Sequence, residues 1–187
     1  MTTVPSQQIW RGFHWSFFID IQGLLICLQR FESQLAQGRL AQAQMELETA
    51  EILMLASGAA MELCGSFSRD DYEHQVRPSM MPPYVQFDSF SGLMSWEHAA
   101  LIYVWKHMRR IFQSLPVELQ PQHKRFVKAY LSLAKSHRAV CEKFGGAEGG
   151  SLRYERTRAV ETLDKFRQNR HSWIDPAHRV NGSDETL

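Results

Sequence analysis

Three polar side chains occupy predicted inward faces of three separate helices. His14 lies four residues after Trp10, and His137 lies four residues after Leu133, so a helical period of 3.6 directs both imidazoles toward apolar faces. Glu97 takes an inward position on a third helix. A lone inward histidine is usually a hydrogen-bonded core residue, but burying an unpaired carboxylate is unfavourable. The three groups together therefore favour a metal or cofactor site.

The spacing of these residues narrows the choice of cofactor. The chain contains no Glu-x-x-His pair of the kind that di-iron bundles require. It also lacks a cluster with zinc-ligand spacing and a CxxCH motif. Haem needs one axial histidine and an apolar slot lined by aromatic residues and methionine. The sequence contains histidines at inward positions and many aromatic and methionine residues.

His137 and Cys141 form an HxxxC pattern. Residues four apart share one face of a helix, so an iron held by His137 would bring the porphyrin edge within reach of the Cys141 thiol. Any histidine and cysteine four apart produce this pattern, and a small buried hydrophobe is the alternative interpretation of Cys141. Neither Cys27 nor Cys64 has a histidine four residues before it.

Composition limits the class of protein. The 187 residues suffice for one domain with a sizeable core. The 21 Lys+Arg and 20 Asp+Glu give a net charge of +1, which argues against a nucleic-acid partner. Three cysteines outside any CxxC predict a reducing compartment. Polar residues interrupt the apolar stretch 9–28, and we therefore expect a cytoplasmic protein with no membrane partner.

Helical periodicity dominates the chain, and hairpin signals are absent. The pattern predicts an all-α bundle of four long helices and a short C-terminal helix, at about 6–37, 40–67, 92–115, 122–144 and 152–168. Gly38 should end the first helix, and the prolines in 68–90 predict an ordered loop there. We expect residues 1–180 to form a single haem-binding domain and 181–187 to form a disordered tail.

Several short motifs follow one another in a fixed order: Trp10, Phe13-His14-Trp15, Tyr72, Arg77-Pro78, Ser91-Gly92, His137, and a glycine-rich turn that ends before Ser151. This series resembles the histidine-ligated haem-dependent aromatic oxygenases, the superfamily of tryptophan 2,3-dioxygenase. The segment 79–92 looks closer to the bacterial haem-dependent tyrosine hydroxylases. An HxxxC that attaches haem through one thioether occurs in a subset of this superfamily.

The resemblance implies a tryptophan 2,3-dioxygenase-like helical fold and assigns roles to the polar residues. His137 would be the proximal ligand of the haem iron. Cys141 would be a candidate thioether, so that the haem is either b-type or covalently attached. His14 would act on bound oxygen or peroxide as an acid, a base or a hydrogen-bond partner. Arg77 would bind the substrate carboxylate.

Four further residues are predicted to contact the substrate: Trp10, Tyr72, Glu97 and Ser151. Trp10 and Trp96 would contribute to an aromatic slot for a planar ring. Glu97 or His98 would orient the substrate amine or phenol. Ser151 would bind the ammonium or carboxylate group, or would only cap the following helix.

The resemblance therefore implies a haem-dependent mono- or dioxygenase of a tyrosine- or tryptophan-like substrate. Ring hydroxylation in specialised metabolism is the leading expectation, with O2 or H2O2 as oxidant and a homodimer or homotetramer as the assembly. One alternative is a haem protein that catalyses a different oxidation or a cyclisation. Another is a non-enzymatic helical haem sensor or adaptor.

Overall fold

The computed structural model describes residues 4–86, 95–145 and 159–177. Regular structure within these ranges is entirely helical, which confirms the predicted all-α class. In chain order the elements are α1 (Ser6–Ala36), α2 (Leu40–Cys64), α3 (Arg69–Asp71), a π-helical turn (Tyr72–Val76), α4 (Arg77–Ser79), α5 (Trp96–Gln113), a 3-10 turn (Val117–Leu119), α6 (Gln120–Gly145) and α7 (Ala159–Ile174).

A tight turn joins α1 to α2 and makes them neighbours along their length. Gly38 has a φ of +70°, the left-handed conformation that glycine adopts without a steric penalty. Its N–H donates to the carbonyl of Leu35, and the N–H of Arg39 donates to the carbonyl of Gln34, both at 3.0 Å. These bonds satisfy the last carbonyls of α1. The predicted role of Gly38 is confirmed.

The predicted boundaries of the long helices hold where the structure describes them. α1 and α6 end within two residues of the predicted positions, and α2 ends three residues early, at Cys64. α5 lies inside the predicted third helix. α7 continues to Ile174, six residues past the predicted end. The predicted glycine turn at 146–150, the start of the last helix and the tail lie outside the described residues.

The segment 69–79 corrects the prediction of a loop, because it is helical. Ser68 begins it as an N-cap, since its Oγ accepts a hydrogen bond of 3.0 Å from the N–H of Asp71. Pro78 lies in the first turn of α4, where a missing N–H is tolerated. The π-helical turn between α3 and α4 buries Tyr72 and Val76. Pro78 is therefore compatible with a short helix at this position.

Buried apolar side chains form two clusters. The larger one joins α1, α2, α5, α6 and α7 and includes Leu28, Phe31, Leu47, Met108 and Phe126. The smaller one lies at the other end of α6 and includes Phe13, Met61, Cys64, Tyr72 and Phe144. In the described part of the chain, no individual helix is both long and apolar enough to span a membrane. α2 together with residues 69–79 passes that test only as a pair bent by 90°.

Candidate active site

A cavity of about 310 Å³ lies between the two apolar clusters. Its walls come from α1, α2, the π-helical turn, α5, α6 and α7, and most of the lining side chains are aromatic or aliphatic. A volume of this size suits a small-molecule site. The titratable groups on the walls include His14, Tyr72, His98, His137, Cys141 and Arg170.

Aromatic rings line the end of the cavity near the start of α1. The ring centroid of Trp10 lies 6.0 Å from that of Phe13 and 5.8 Å from that of Tyr72. Tyr72 stacks on Phe144 with a centroid separation of 4.5 Å and an interplanar angle of 11°. Trp10 and Tyr72 therefore lie at the cavity, where a planar ring would meet other aromatic faces.

His14 is held in one tautomer by the backbone of its own helix. Its Nδ1 lies 2.8 Å from the carbonyl oxygen of Trp10. Because a carbonyl only accepts, Nδ1 carries the hydrogen, and Nε2 is left with a lone pair. Burial lowers the pKa of His14 below 6.5, although the hydrogen bond to Trp10 acts in the opposite direction. The cavity therefore contains a neutral, oriented imidazole on α1.

His137 is the second imidazole of the cavity, and it lies on α6. Burial, and secondarily the positive charge of Arg170, lower its pKa to about 4. The side chain still keeps part of its surface open, and it lines the cavity wall. Within the described ranges, its ring nitrogens have no hydrogen-bond partner, unlike those of His14 and the buried His123. A neutral imidazole without a partner is the form that binds a metal ion.

Two thiols share the cavity with His137. Cys141 follows His137 by one helical turn, and Cys64 comes from α2. Burial raises the pKa of Cys141 to about 11 and that of Cys64 to about 12. Both thiols are therefore protonated at neutral pH. Cys27 is also a free cysteine but belongs to the larger apolar cluster.

These donors fit a haem better than a bare metal ion. In residues 4–86, 95–145 and 159–177, no three His, Cys, Asp or Glu side chains gather as a metal-ion site. Zinc or di-iron chemistry would need such a group. A haem iron needs one strong axial ligand from the protein and an apolar, aromatic slot for the porphyrin. His137 and the walls of the cavity supply both.

The structure places three of the predicted substrate residues away from the cavity. Arg77 is exposed and pairs with Glu73 at 3.2 Å. It reaches the site only through its charge, which acts on the pKa of Tyr72 against the larger effect of burial. The prediction that Glu97 faces inward is corrected, because Glu97 lies half-buried at the start of α5 and accepts a 3.4 Å hydrogen bond from Gln22.

The third is Trp96, predicted to form part of the aromatic slot. Trp96 begins α5 and is 89% exposed, so that prediction is wrong. His98, two residues after Trp96 on α5, lines the cavity. Ser151 lies outside the described residues, and its predicted role stays a prediction.

Sequence reasoning missed Arg170 on α7. Its Nη2 donates to Nε2 of His98 at 2.7 Å, and its guanidinium carbon lies 5.3 Å from the ring centroid of Phe166. The side chain lines the cavity. The Phe166-to-Arg170 spacing of four was the available signal, but the same spacing occurs on many solvated helix faces.

The fold and the cavity define an all-α protein with an aromatic small-molecule site whose walls include His14, His98 and His137. The sequence profile described as SfmD 3-methyl-L-tyrosine peroxygenase matches residues 3–122. The chain belongs to that family. The matched segment contains His14 and Tyr72 and ends before His137.

A curated relative agrees with this assignment. A 3-methyl-L-tyrosine peroxygenase of Streptomyces lavendulae is 30% identical over 166 residues, which cover 87% of this chain and 45% of the relative. The chain thus spans less than half the length of that protein. No solved structure matches the chain. The expected relationship to enzymes that oxidise aromatic amino acids is confirmed. Membership of the wider tryptophan 2,3-dioxygenase superfamily and attachment of haem through the HxxxC motif stay predictions.

Proposed function

We propose that this chain binds haem in the cavity and oxidises the ring of a tyrosine derivative, with peroxide as the oxidant and hydroxylation as the outcome. One observation carries the proposal: His137, neutral and with no hydrogen-bond partner among the described residues, lines an aromatic cavity in a member of a peroxygenase family. The name of the Streptomyces lavendulae relative supports both the substrate class and the choice of peroxide over O2.

His137 would hold the haem by binding its iron. Its depressed pKa keeps the ring neutral across the physiological range, so no proton has to leave before the metal binds. When bound, the haem supplies the oxidising centre that activates peroxide. The aromatic and aliphatic walls of the cavity would shield such a group from water.

Cys141 is the proposed point of covalent attachment. It lies one helical turn from His137 on the same cavity wall, and burial keeps it as a thiol. The Cys141 thiol would add across a porphyrin vinyl group: its S–H bond and the π bond of the vinyl C=C would break, and one C–S bond and one C–H bond would form, with no external oxidant or reductant required. Cys64 shares the cavity but has no histidine four residues before it.

His14 is the proposed acid–base group. Its Nδ1–H is committed to the carbonyl of Trp10, so Nε2 is the atom that accepts a proton from peroxide or from a phenol. The lowered pKa of His14 would make the resulting imidazolium a good proton donor.

Trp10 and Tyr72 are the proposed contacts for the aromatic ring of the substrate. The Tyr72 hydroxyl has a pKa raised to about 12 by burial, so it stays a hydrogen-bond donor. Arg77 acts on this site through Tyr72 and is not assigned a direct contact.

Reconstitution with haem tests the proposal. The purified chain should give a pyridine haemochrome signal near one haem per chain, and L-tyrosine or 3-methyl-L-tyrosine should shift the absorption of the bound haem. Products formed with H2O2 should exceed those formed with O2 and a reductant. His107→Ala is the matched control for His137→Ala, because His107 is exposed and pairs with Glu32. Wild-type protein that takes up no more haem than the His137→Ala variant would refute the proposed site.

A further inference from the structure

Arg170 is a cavity-lining cation that forms no ion pair with a carboxylate among the residues the structure describes. Arg170 is half-buried on the cavity wall, and this burial lowers the pKa of its guanidinium. Its polar partner is Nε2 of His98, which must accept the hydrogen bond and is therefore unprotonated. A neutral imidazole satisfies one N–H but does not offset the positive charge.

The other arginines near the cavity have counter-charges or solvent. Arg138 pairs with Glu142 and with Asp164. Arg167 is exposed, and water offsets its charge. Within residues 4–86, 95–145 and 159–177, no carboxylate forms an ion pair with Arg170. An isolated charge in a low-dielectric site is unfavourable until an opposite charge arrives.

Two neighbouring side chains add to the polar character of this part of the wall. The Trp105 ring lies 5.4 Å from the Tyr130 ring, centroid to centroid, and both line the cavity. In the described part of the chain, Nε1 of Trp105 is a buried donor without an acceptor. The positive charge of Arg170 acts on the Tyr130 hydroxyl and on His137. We call Arg170, His98, Tyr130 and Trp105 the Arg170 corner.

We propose that Arg170 is the carboxylate-binding residue of the cavity. A guanidinium matches the two oxygens of a carboxylate in a planar, charge-assisted pair. The inference rests on the proposed function, because that function offers two sources of one chemistry: the carboxylate of an amino-acid substrate and the propionate of a porphyrin. Arg170 would thus take the role that the family resemblance implied for Arg77.

Ligand pairs that differ only in this charge test the proposal on the haem-free protein. Wild-type protein should bind 3-(4-hydroxyphenyl)propionate more tightly than its primary amide by about tenfold or more, measured by tryptophan fluorescence or calorimetry. Arg170→Gln should abolish the preference, and Arg170→Lys should retain part of it. Arg77→Gln is the matched control and should keep the full preference.

A second pair of comparisons identifies the source of the carboxylate. The first compares the affinity for L-tyrosine with that for tyramine, which lacks the carboxylate. The second compares the affinity for haem with that for haem dimethyl ester, which lacks the propionate charges. A substrate site predicts that Arg170→Gln loses only the preference for L-tyrosine. A propionate site predicts that it loses only the preference for haem over its ester.

A wild-type measurement covers the case in which Arg170→Gln does not fold. The side-chain Nε–H resonance of Arg170 should shift with the aryl propionate and not with the amide. Equal affinity for acid and amide in wild-type protein, or an unchanged preference in Arg170→Gln, would overturn the proposal. The acid–amide comparison measures binding to haem-free protein and needs no turnover. Its outcome can therefore be told apart from a failure of the haem-loaded protein to oxidise a tyrosine derivative.

Discussion

The Nδ1 atom of His14 lies 2.8 Å from the carbonyl oxygen of Trp10, one helical turn earlier on α1. The ring nitrogens of His137 have no such partner in the described residues. His14 and His137 therefore differ: the ring of His14 has a fixed tautomer, and the ring of His137 can orient toward a ligand. This asymmetry supports different roles for them.

Replacement of each histidine by alanine should separate haem retention from turnover. His137→Ala should lose most bound haem, because it removes the proposed axial ligand. His14→Ala should keep the haem and lower turnover by about 10²-fold or more, the usual contribution of an acid–base group. Haem content by pyridine haemochrome and product yield with H2O2 measure the two effects. Haem loss in His14→Ala with retention in His137→Ala would reverse the assignment.

The depressed pKa of His137 should make the haem-free protein less stable in acid. The unfolded chain protonates this group near pH 6.5 and the folded chain near pH 4, so protons favour the unfolded state between these values. The free energy of unfolding should fall as the pH decreases through that window, with at most about 3 kcal/mol from His137.

Urea denaturation at several pH values measures this contribution. His14 and His123 also have lowered pKa values and act in the same direction, so the comparison is between wild type and His137→Gln. The variant should show the weaker pH dependence. Parallel curves would mean that His137 titrates equally in both states.

A thioether at Cys141 should be visible in the mass of the denatured protein. Haem-loaded wild type should retain the mass of one porphyrin after denaturation and keep its colour in acid–acetone. Cys141→Ala should bind haem through His137 and release it on extraction. Cys64→Ala is the matched control, because Cys64 lines the same cavity on another helix. A fully loaded wild-type sample that yields only the polypeptide mass would exclude the bond.

Two glycines of α1 and its turn should respond to alanine in opposite ways. Gly38→Ala should lower the free energy of unfolding by about 1 kcal/mol, since its φ of +70° is unfavourable for an L side chain. Gly12→Ala should raise it by about 0.5–1 kcal/mol, because Gly12 is an exposed helical position with open space around its Cβ. Thermal unfolding of the haem-free protein measures both. Equal effects would contradict the helix boundary at Gly38.

The sequence alone was sufficient for features that depend on neighbours a few residues apart. The apolar period of α1 predicted the burial of Phe13, Ile21 and Leu28, and Gly38 predicted where the helix ends. The inward placement of His14 and His137 followed from the same period. Each of these depends on helical geometry, which repeats every 3.6 residues.

The helical segment 69–79 could not be predicted in this way. Pro78 lies inside it, Pro82 and Pro83 follow shortly after it, and these prolines with the neighbouring polar residues are typical of a loop. Short helices are unstable in isolation and form in proteins mainly through packing. Burial of Tyr72 and Val76 against α1 and α6 supplies that packing. Tyr72 reaches the cavity because of it.

The tertiary structure alone decided which arginine lies at the cavity. Arg77 and Arg170 are both arginines close to aromatic residues in the sequence, and Arg77 also had the support of a family motif. The packing of α7 against α5 and α6 removes water from Arg170 and brings it to His98, 72 residues away in the chain. Arg77 stays in solvent beside Glu73. The desolvation of a side chain depends on every element that packs around it, so a local sequence pattern does not predict it.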